Sequence, residues 1–370
     1  MKILQLSSAQ AFGGGERHLV DLAEGLVRSG HEVHTALRPR ASLIKELSDL
    51  PGIQLTTLPL RNALDALSAR QLGRYVRQHS IQIVHAHLAR DYPLAAYAAR
   101  RNPHCKMIVT RHVLFPLNPL HALTLSRCSR IIAVSKAVQR ALSAQYLLPA
   151  ERIVVIPNGI DISKYEPQSD GSSRVDLRLS WRIPEDALLI GSVGEITALK
   201  GHEDFLRSAA LVLRSFPKSK FIIAGVDATP GGPNLAKLKR QIAQLGLGDN
   251  VRVLGWVEDL PALYNAIDVF VSASHTESFG LTIAEAMAAR KPVVATATEG
   301  AWEVIGKNES GVLVPLGNVE ALASAVVDLI GSSDKRERLG EAAHERVREK
   351  FSLDRMIGET EKLYEQVLLE

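Results

Sequence analysis

The chain predicts an α/β protein of two Rossmann-like, doubly wound parallel-sheet domains facing across a cleft. Its 370 residues are too many for one ordinary core and suit two domains of about 150 to 200 residues each. Short β-rich runs alternate with helical periods, and this rhythm stops at a polar Gly/Ser-rich segment and then restarts. Hydrophobic content of 46% and charged content of 23% are globular values, and apolar stretches such as Ile131 to Val134 fall far short of a membrane span.

The elements follow in order. Lys2 to Ser7 reads as a first strand, since it has no long apolar region or small-residue cleavage site of a signal peptide; a cytoplasmic location is expected. An amphipathic helix over Glu16 to Ser29 precedes strands at Glu32 to Leu37, Ile53 to Leu58 and Ile81 to His85. Further strands are expected at Met107 to Thr110, Ile131 to Val134 and Ile153 to Ile156. Pro167 to Arg174 reads as a linker. Strands then resume at Leu188 to Val193, Lys220 to Ala224, Val251 to Leu254, Val269 to Ser272, Pro292 to Ala295 and Gly311 to Val314. Phe351 to Glu370 places Leu363, Tyr364, Val367 and Leu368 on one side of a helix that packs on a domain surface. The expected division is 1–165, 166–350 and a C-terminal helix 351–370. In such sheets ligands sit beyond the carboxyl ends of strands, so the loops after strands carry the chemistry.

Composition narrows the chemistry. Cys105 and Cys128 have no paired spacing and read as reduced thiols, which argues against a disulfide or metal framework. The net charge of +4 conceals an asymmetry: residues 1 to 165 carry 21 Lys plus Arg against 10 Asp plus Glu, and the remainder carries 23 against 30. Arg70, Arg74 and Arg77, then Arg100, Arg101, Lys106 and Arg111, make the first half a candidate docking surface for an anionic acceptor or an anionic membrane; a merely solvated basic face is the alternative. Nucleic acid is not expected as a partner, because the basic residues are not interleaved with aromatics, which make up only 5% of the chain.

Two segments point to a phosphate-bearing sugar ligand. Phe12-Gly13-Gly14-Gly15-Glu16-Arg17 runs from the first strand into a helix; glycines let backbone N–H groups approach a ligand, and the helix N-terminus favours negative charge. The segment is neither a dinucleotide fingerprint nor a P-loop, and a plain tight turn reads equally well. Glu277-Ser278-Phe279-Gly280-Leu281-Thr282-Ile283-Ala284-Glu285 is more informative. A helix start near Gly280 offers N–H groups to a diphosphate, and flanking carboxylates accept from sugar hydroxyls. The acid–base pair of a glycosidase is the competing reading, but one glutamate lies within an apolar helix opening.

The stretch Glu277 to Glu285 resembles the Glu-x7-Glu signature of the GT-B glycosyltransferases, and its surroundings resemble family 4 of those enzymes along nearly the whole chain. Ile156 to Asp161 resembles the family's entry to the second domain. Val193-Gly194 with Lys200-Gly201 resembles its donor-phosphate loop, Gly255-Trp256-Val257 its base-contacting loop, and Phe351 to Tyr364 its terminal crossover helix. The resemblance implies a retaining, metal-independent hexosyltransferase that moves a sugar from a UDP- or GDP-sugar to an acceptor hydroxyl, in cell-envelope glycan, lipopolysaccharide or glycolipid synthesis. No cofactor and no metal are expected, in keeping with the lack of any Asp-x-Asp triplet. The C-terminal helix would cross back to the first domain, and the basic first domain would touch the inner face of the membrane.

Carried over residue by residue, the resemblance implies that Glu285 accepts from the ribose and Glu277 from the transferred sugar. Phe279, Gly280 and Leu281 present backbone amides, and Lys200 neutralises the leaving phosphate. Gly194 and Val257 belong to the donor loops, Gly14 and Gly15 to the first-domain loop facing the donor, and His112 in Thr110-Arg111-His112 stands near the reacting sugar, with His85 and His87 as rival candidates. Glu195 departs from the pattern, since Arg usually follows Val-Gly; either another basic residue substitutes, Glu195 points elsewhere, or turnover is weak. A sugar-nucleotide epimerase of the same two-domain form and a non-catalytic nucleotide-sugar-binding protein are the alternatives.

Overall fold

The computed structural model describes residues 1–145, 149–166, 172–307 and 309–370. The chain divides into two compact units, Met1–Gly159 with Leu353–Glu370, and Ile160–Ser352.

The first unit runs β1 (Lys2–Ser7), α1 (Gly14–Arg28), β2 (Glu32–Leu37), α2 (Leu43–Ser48), β3 (Ile53–Thr57), α3 (Ala66–Gln78), β4 (Ile83–Ala86), α4 (Tyr92–Arg101), β5 (Lys106–Arg111), α5 (His121–Leu125), β6 (Arg130–Ala133), α6 (Lys136–Ser143) and β7 (Ile153–Val155). Its sheet is ordered β3-β2-β1-β4-β5-β6-β7, with every pairing parallel. From Ile3 onward every residue of β1 is buried, as a central parallel strand covered on both faces requires. Helix α1 buries Leu19, Leu22 and Leu26 on its apolar face, and Gly30, at φ +82°, lets the chain turn into β2.

The second unit runs α7 (Ser172–Ser180), β8 (Leu189–Val193), α8 (His202–Ser215), β9 (Lys220–Ala224), α9 (Pro233–Gln244), β10 (Val251–Gly255), α10 (Leu260–Ala266), β11 (Val269–Ser272), α11 (Leu281–Ala288), β12 (Val293–Thr296), α12 (Glu299–Ile305), β13 (Val312–Val314), α13 (Val319–Ile330) and α14 (Ser333–Lys350). Its parallel sheet is ordered β10-β9-β8-β11-β12-β13. In each sheet the first strand lies inside, the chain walks to one edge, and it then crosses to the other side. Strand order therefore reverses between β1 and β4, and again between β8 and β11, and at both places neighbouring loops diverge.

The final helix, α15 (Leu353–Leu369), belongs to the first unit, where Met356, Ile357, Leu363, Tyr364 and Val367 join the core around Leu19, Leu22 and Leu26. Its approach to α1 depends on Gly25: a Cβ there would lie 2.0 Å from Ile357 Cδ1. Tyr364 is fully buried, and its hydroxyl meets His85 Nδ1 at 2.6 Å and accepts from Gln5 Nε2 at 3.4 Å.

Some expectations need correction. Ile160–Tyr165 falls in the second unit rather than closing the first, because Ile160 N–H donates to Phe351 O at 2.8 Å and bridges Ser352. The same contacts keep Phe351 and Ser352 out of the last helix, which starts at Leu353. Of the expected linker 167–174, residues 167–171 lie outside the described residues, and α7 begins at Ser172. Arg111 leaves the basic surface: it is buried and donates to Phe115 O, whereas Arg70, Arg74, Arg77, Arg100 and Arg101 are exposed.

Candidate active site

The second unit gathers most of its predicted residues at the switch between β8 and β11, with Val257 apart on the loop after the edge strand β10. After β8 the chain makes a tight turn, Ala198–Lys200, capped by Gly201 in the left-handed region at φ +63°. A Cβ on Gly201 would lie 1.9 Å from Ala273 O, so this turn is pressed against the end of β11, and His275 N–H donates to Leu199 O at 2.8 Å. The close approach brings Lys200 Nζ to 2.7 Å from Glu277 Oε1. Ser274 Oγ donates to the same oxygen at 2.8 Å. Gly194 lies beneath the Lys200 stem, where a Cβ would be 3.5 Å from Lys200 Cδ.

Glu277 is 8% exposed and Lys200 28%. Desolvating a carboxylate costs on the order of several kcal/mol, which such a pair recovers only in part, so the arrangement contributes little net stability. Its ammonium has three donors, however, and only one is used on Glu277, which suits a group held ready for a second anion. Glu195, beside Gly194, is exposed; its carbonyl and that of Gly194 each lie 3.3 Å from His202 Nε2.

Gly280 opens α11 at φ +99°, a conformation that favours glycine, and the chain enters the helix so that the first turn's amides lack intrahelical acceptors. Leu281 begins that helix, while Phe279 is buried edge-on against Phe351 at 5.4 Å. Glu285, one turn further, is 7% exposed and accepts from the Tyr264 hydroxyl at 2.9 Å. Burial, then the Glu285 charge, push the Tyr264 phenol far up, so it remains a donor. Val257 is half-buried in the loop after β10. That loop joins the Lys200 side through a relay: Gly225 N–H donates to Gly255 O at 2.8 Å, and Gly194 N–H donates to Ala224 O at 2.9 Å.

Sequence reasoning missed four residues here. A Cβ on Gly225 would lie 1.8 Å from Gly194 O, and one on Gly300 would lie 2.7 Å from Glu277 O, so both glycines permit backbone contact. Ser274 had a signal, a hydroxyl three residues before the first glutamate. Tyr264 had none, standing 21 residues from the carboxylate it serves.

The first unit brings Gly14 and Gly15 to its own switch point, with His112 reaching them from the end of β5. Gly14 and Gly15 open α1 behind Gly13, and a Cβ on Gly15 would meet His112 Cδ2 at 3.5 Å. His112 follows β5, and its Nε2 lies 3.4 Å from His87 Nδ1. The His18 ring stands edge-on to His112 at 4.8 Å between centroids. The rival His85 is held on both nitrogens, by the Tyr364 hydroxyl and by Thr110 Oγ1 at 2.7 Å, which makes it structural. His87 Nε2 is held by Gln5 Oε1 at 2.7 Å.

Comparison with known proteins accords with this layout. Residues 12–164 match Glycosyltransferase Family 4, and residues 174–346 match Glycosyl transferases group 1. An uncharacterized glycosyltransferase of Methanocaldococcus jannaschii is 26% identical, over 95% of this chain and 94% of its own. The D-inositol 3-phosphate glycosyltransferase of Salinispora tropica is 29% identical, over 93% of this chain and 74% of its own. Anabaena HepE, solved in complex with UDP and glucose, superposes with a TM-score of 0.87 at 23% identity, over 99% of this chain and 100% of that one; this likeness is one of fold.

Desolvation of the buried histidines, and of the half-buried His112, predicts a stability that is sensitive to acid. Burial pulls His18 and His202 down to about 4 and holds His85, His87 and His112 well below the ordinary 6.5. Between those values the unfolded chain binds more protons than the folded one, so stability falls as pH drops through the window from 6.5 towards 4. Asp91, pushed up to about 6 by burial, and Glu16, also raised by burial, act in the opposite sense but are outnumbered. The urea midpoint is expected to fall between about pH 7 and about pH 5; a midpoint that holds or rises would contradict the neutral histidines.

Proposed function

Because this chain belongs to the glycosyltransferases of family 4, with their GT-B fold, we propose that it moves a sugar from a UDP- or GDP-sugar to an acceptor hydroxyl with retention at the anomeric carbon. The observation that carries this reading is the Lys200–Glu277 pair, set at the switch point of the second sheet and followed by the N-terminus of α11. The diphosphate would take the two remaining Lys200 donors and the amides of Phe279, Gly280 and Leu281, close to Gly194. Glu285, oriented by Tyr264, would accept from the ribose hydroxyls, with Val257 beside the base. Glu277, oriented by its hydrogen bonds from Lys200 and Ser274, would accept from the sugar.

In the reaction the bond between the anomeric carbon and the phosphate oxygen breaks, and a bond to the acceptor oxygen forms. The acceptor proton passes to the departing phosphate, whose growing charge Lys200 and the helix amides stabilise without a divalent ion. His112, beside Gly14 and Gly15, would contact the transferred sugar. The exposed Arg70, Arg74, Arg77, Arg100 and Arg101 favour an anionic acceptor, either a glycan or a lipid-linked one at the inner membrane face. The inositol phosphate acceptor named for the Salinispora relative has that character. No helix among the described residues is long and apolar enough to cross a membrane.

A thermal-shift screen against UDP, GDP and their sugars identifies the donor by mass action. With that donor, Glu285→Ala is expected to weaken nucleotide binding by roughly 1 to 3 kcal/mol; an unchanged dissociation constant removes Glu285 from the site. Transfer should survive EDTA, and loss that magnesium or manganese restores would overturn the metal-free reading. His112→Ala should lower kcat by roughly ten- to a thousandfold while leaving the bare nucleotide's affinity and the melting temperature near the parent's. A parental rate would make His112 a bystander.

A further inference from the structure

The histidines beside the glycine loop of the first unit exceed what sugar transfer requires. His18 lies on α1, His87 immediately beyond β4 and His112 immediately beyond β5, so one helix and two loops at one sheet end converge. One ring nitrogen from each lies within 4.8 Å of the other two. His87 Nδ1 and His112 Nε2 are already 3.4 Å apart, the spacing of two nitrogens on a tetrahedral zinc ion with bonds of about 2.0 to 2.1 Å.

The orientation of these rings is set from behind. Gln5 donates through Nε2 to the Tyr364 hydroxyl, which leaves its Oε1 to accept from His87 Nε2–H. His87 therefore presents the bare lone pair of Nδ1 towards His112. A hydrogen bond on the far nitrogen is how proteins orient a metal-ligating imidazole. His18 is 5% exposed, and neither of its ring nitrogens has a hydrogen-bond partner; the Asn158 carboxamide acts on it without reaching bonding geometry. Burying an imidazole with both nitrogens unused is unfavourable, and a ligand that accepts its lone pair relieves that cost. His85, though its ring lies 4.4 Å from that of His87, is spoken for on both nitrogens and takes no part.

We propose that His18, His87 and His112 bind one divalent transition-metal ion of the zinc class, and that filling this site withholds His112 from the sugar and so inhibits transfer. Three neutral imidazoles without a carboxylate suit zinc, cobalt or nickel and not magnesium or calcium, which require oxygen ligands. Three protein ligands leave a fourth position for water. The site stands on the geometry alone, whereas the inhibition rests on the reading of His112 given above.

Cobalt(II) is the probe, titrated into the metal-stripped full-length protein without donor or acceptor. One ion per chain is expected, with the strong visible absorption of four-coordinate cobalt, and zinc should displace it. His18→Phe, which keeps a buried ring but removes the nitrogens, should weaken cobalt binding by at least about tenfold while leaving the metal-free melting temperature and transfer rate unchanged. His18→Gln serves as a second variant if the first folds poorly. No cobalt spectrum in the parent, or one that persists at parental affinity in the His18 variants, overturns the site irrespective of what the protein transfers. Zinc should then slow transfer by the parent and spare the His18 variant; cobalt bound through His18 with no loss of transfer on zinc addition overturns the inhibition.

Discussion

Parallel strand pairing is the constraint from which both sites descend. A parallel sheet sends every strand's carboxyl end to the same edge, and a chain that starts inside the sheet must reverse its direction of travel once. At that reversal two adjacent loops leave in opposite directions and open a crevice. In the second unit the diverging loops carry Lys200 and Glu277. In the first they carry the glycines before α1 and, beyond β4, His87.

The crevice of the second unit is shaped by backbones that come unusually close around it. Gly201 lets the Lys200 turn rest on Ala273 O, Gly225 lets β9's end meet Gly194 O, and Gly300 lets α12 settle on the Glu277 carbonyl. Each contact removes the space a side chain would need, and together they hold the ends of several strands in fixed relation. Positioning of this kind matters for catalysis, because a misplaced ammonium or amide loses most of its value against a developing charge.

The two units solve different problems with buried polar groups. In the second, buried carboxylates are oriented by a neighbouring ammonium or by hydroxyl donors. In the first, burial keeps a row of imidazoles neutral, and Tyr364 on the last helix stitches two of them to β1 through Gln5. The C-terminal helix thus contributes to the polar interior of the unit in which the chain begins.

The sequence by itself determined what is local. Alternating β and helical periods revealed two sheets, and the eight-residue interval with its internal glycine exposed Glu277, Gly280 and Glu285 as one structural piece, because a turn and the helix after it are continuous in the chain. Tertiary structure alone decided the partners. Lys200 meets Glu277 across 77 residues, Tyr264 meets Glu285 across 21, and Tyr364 meets His85 across 279. Burial of Arg111 and the sharing of Ile160 with Phe351 belong to the same class. The reason is physical: helix and strand periods record which face of an element is apolar, whereas parallel pairing joins strands through long crossovers, so the register that sets side chains opposite one another leaves no mark at any fixed spacing in the sequence.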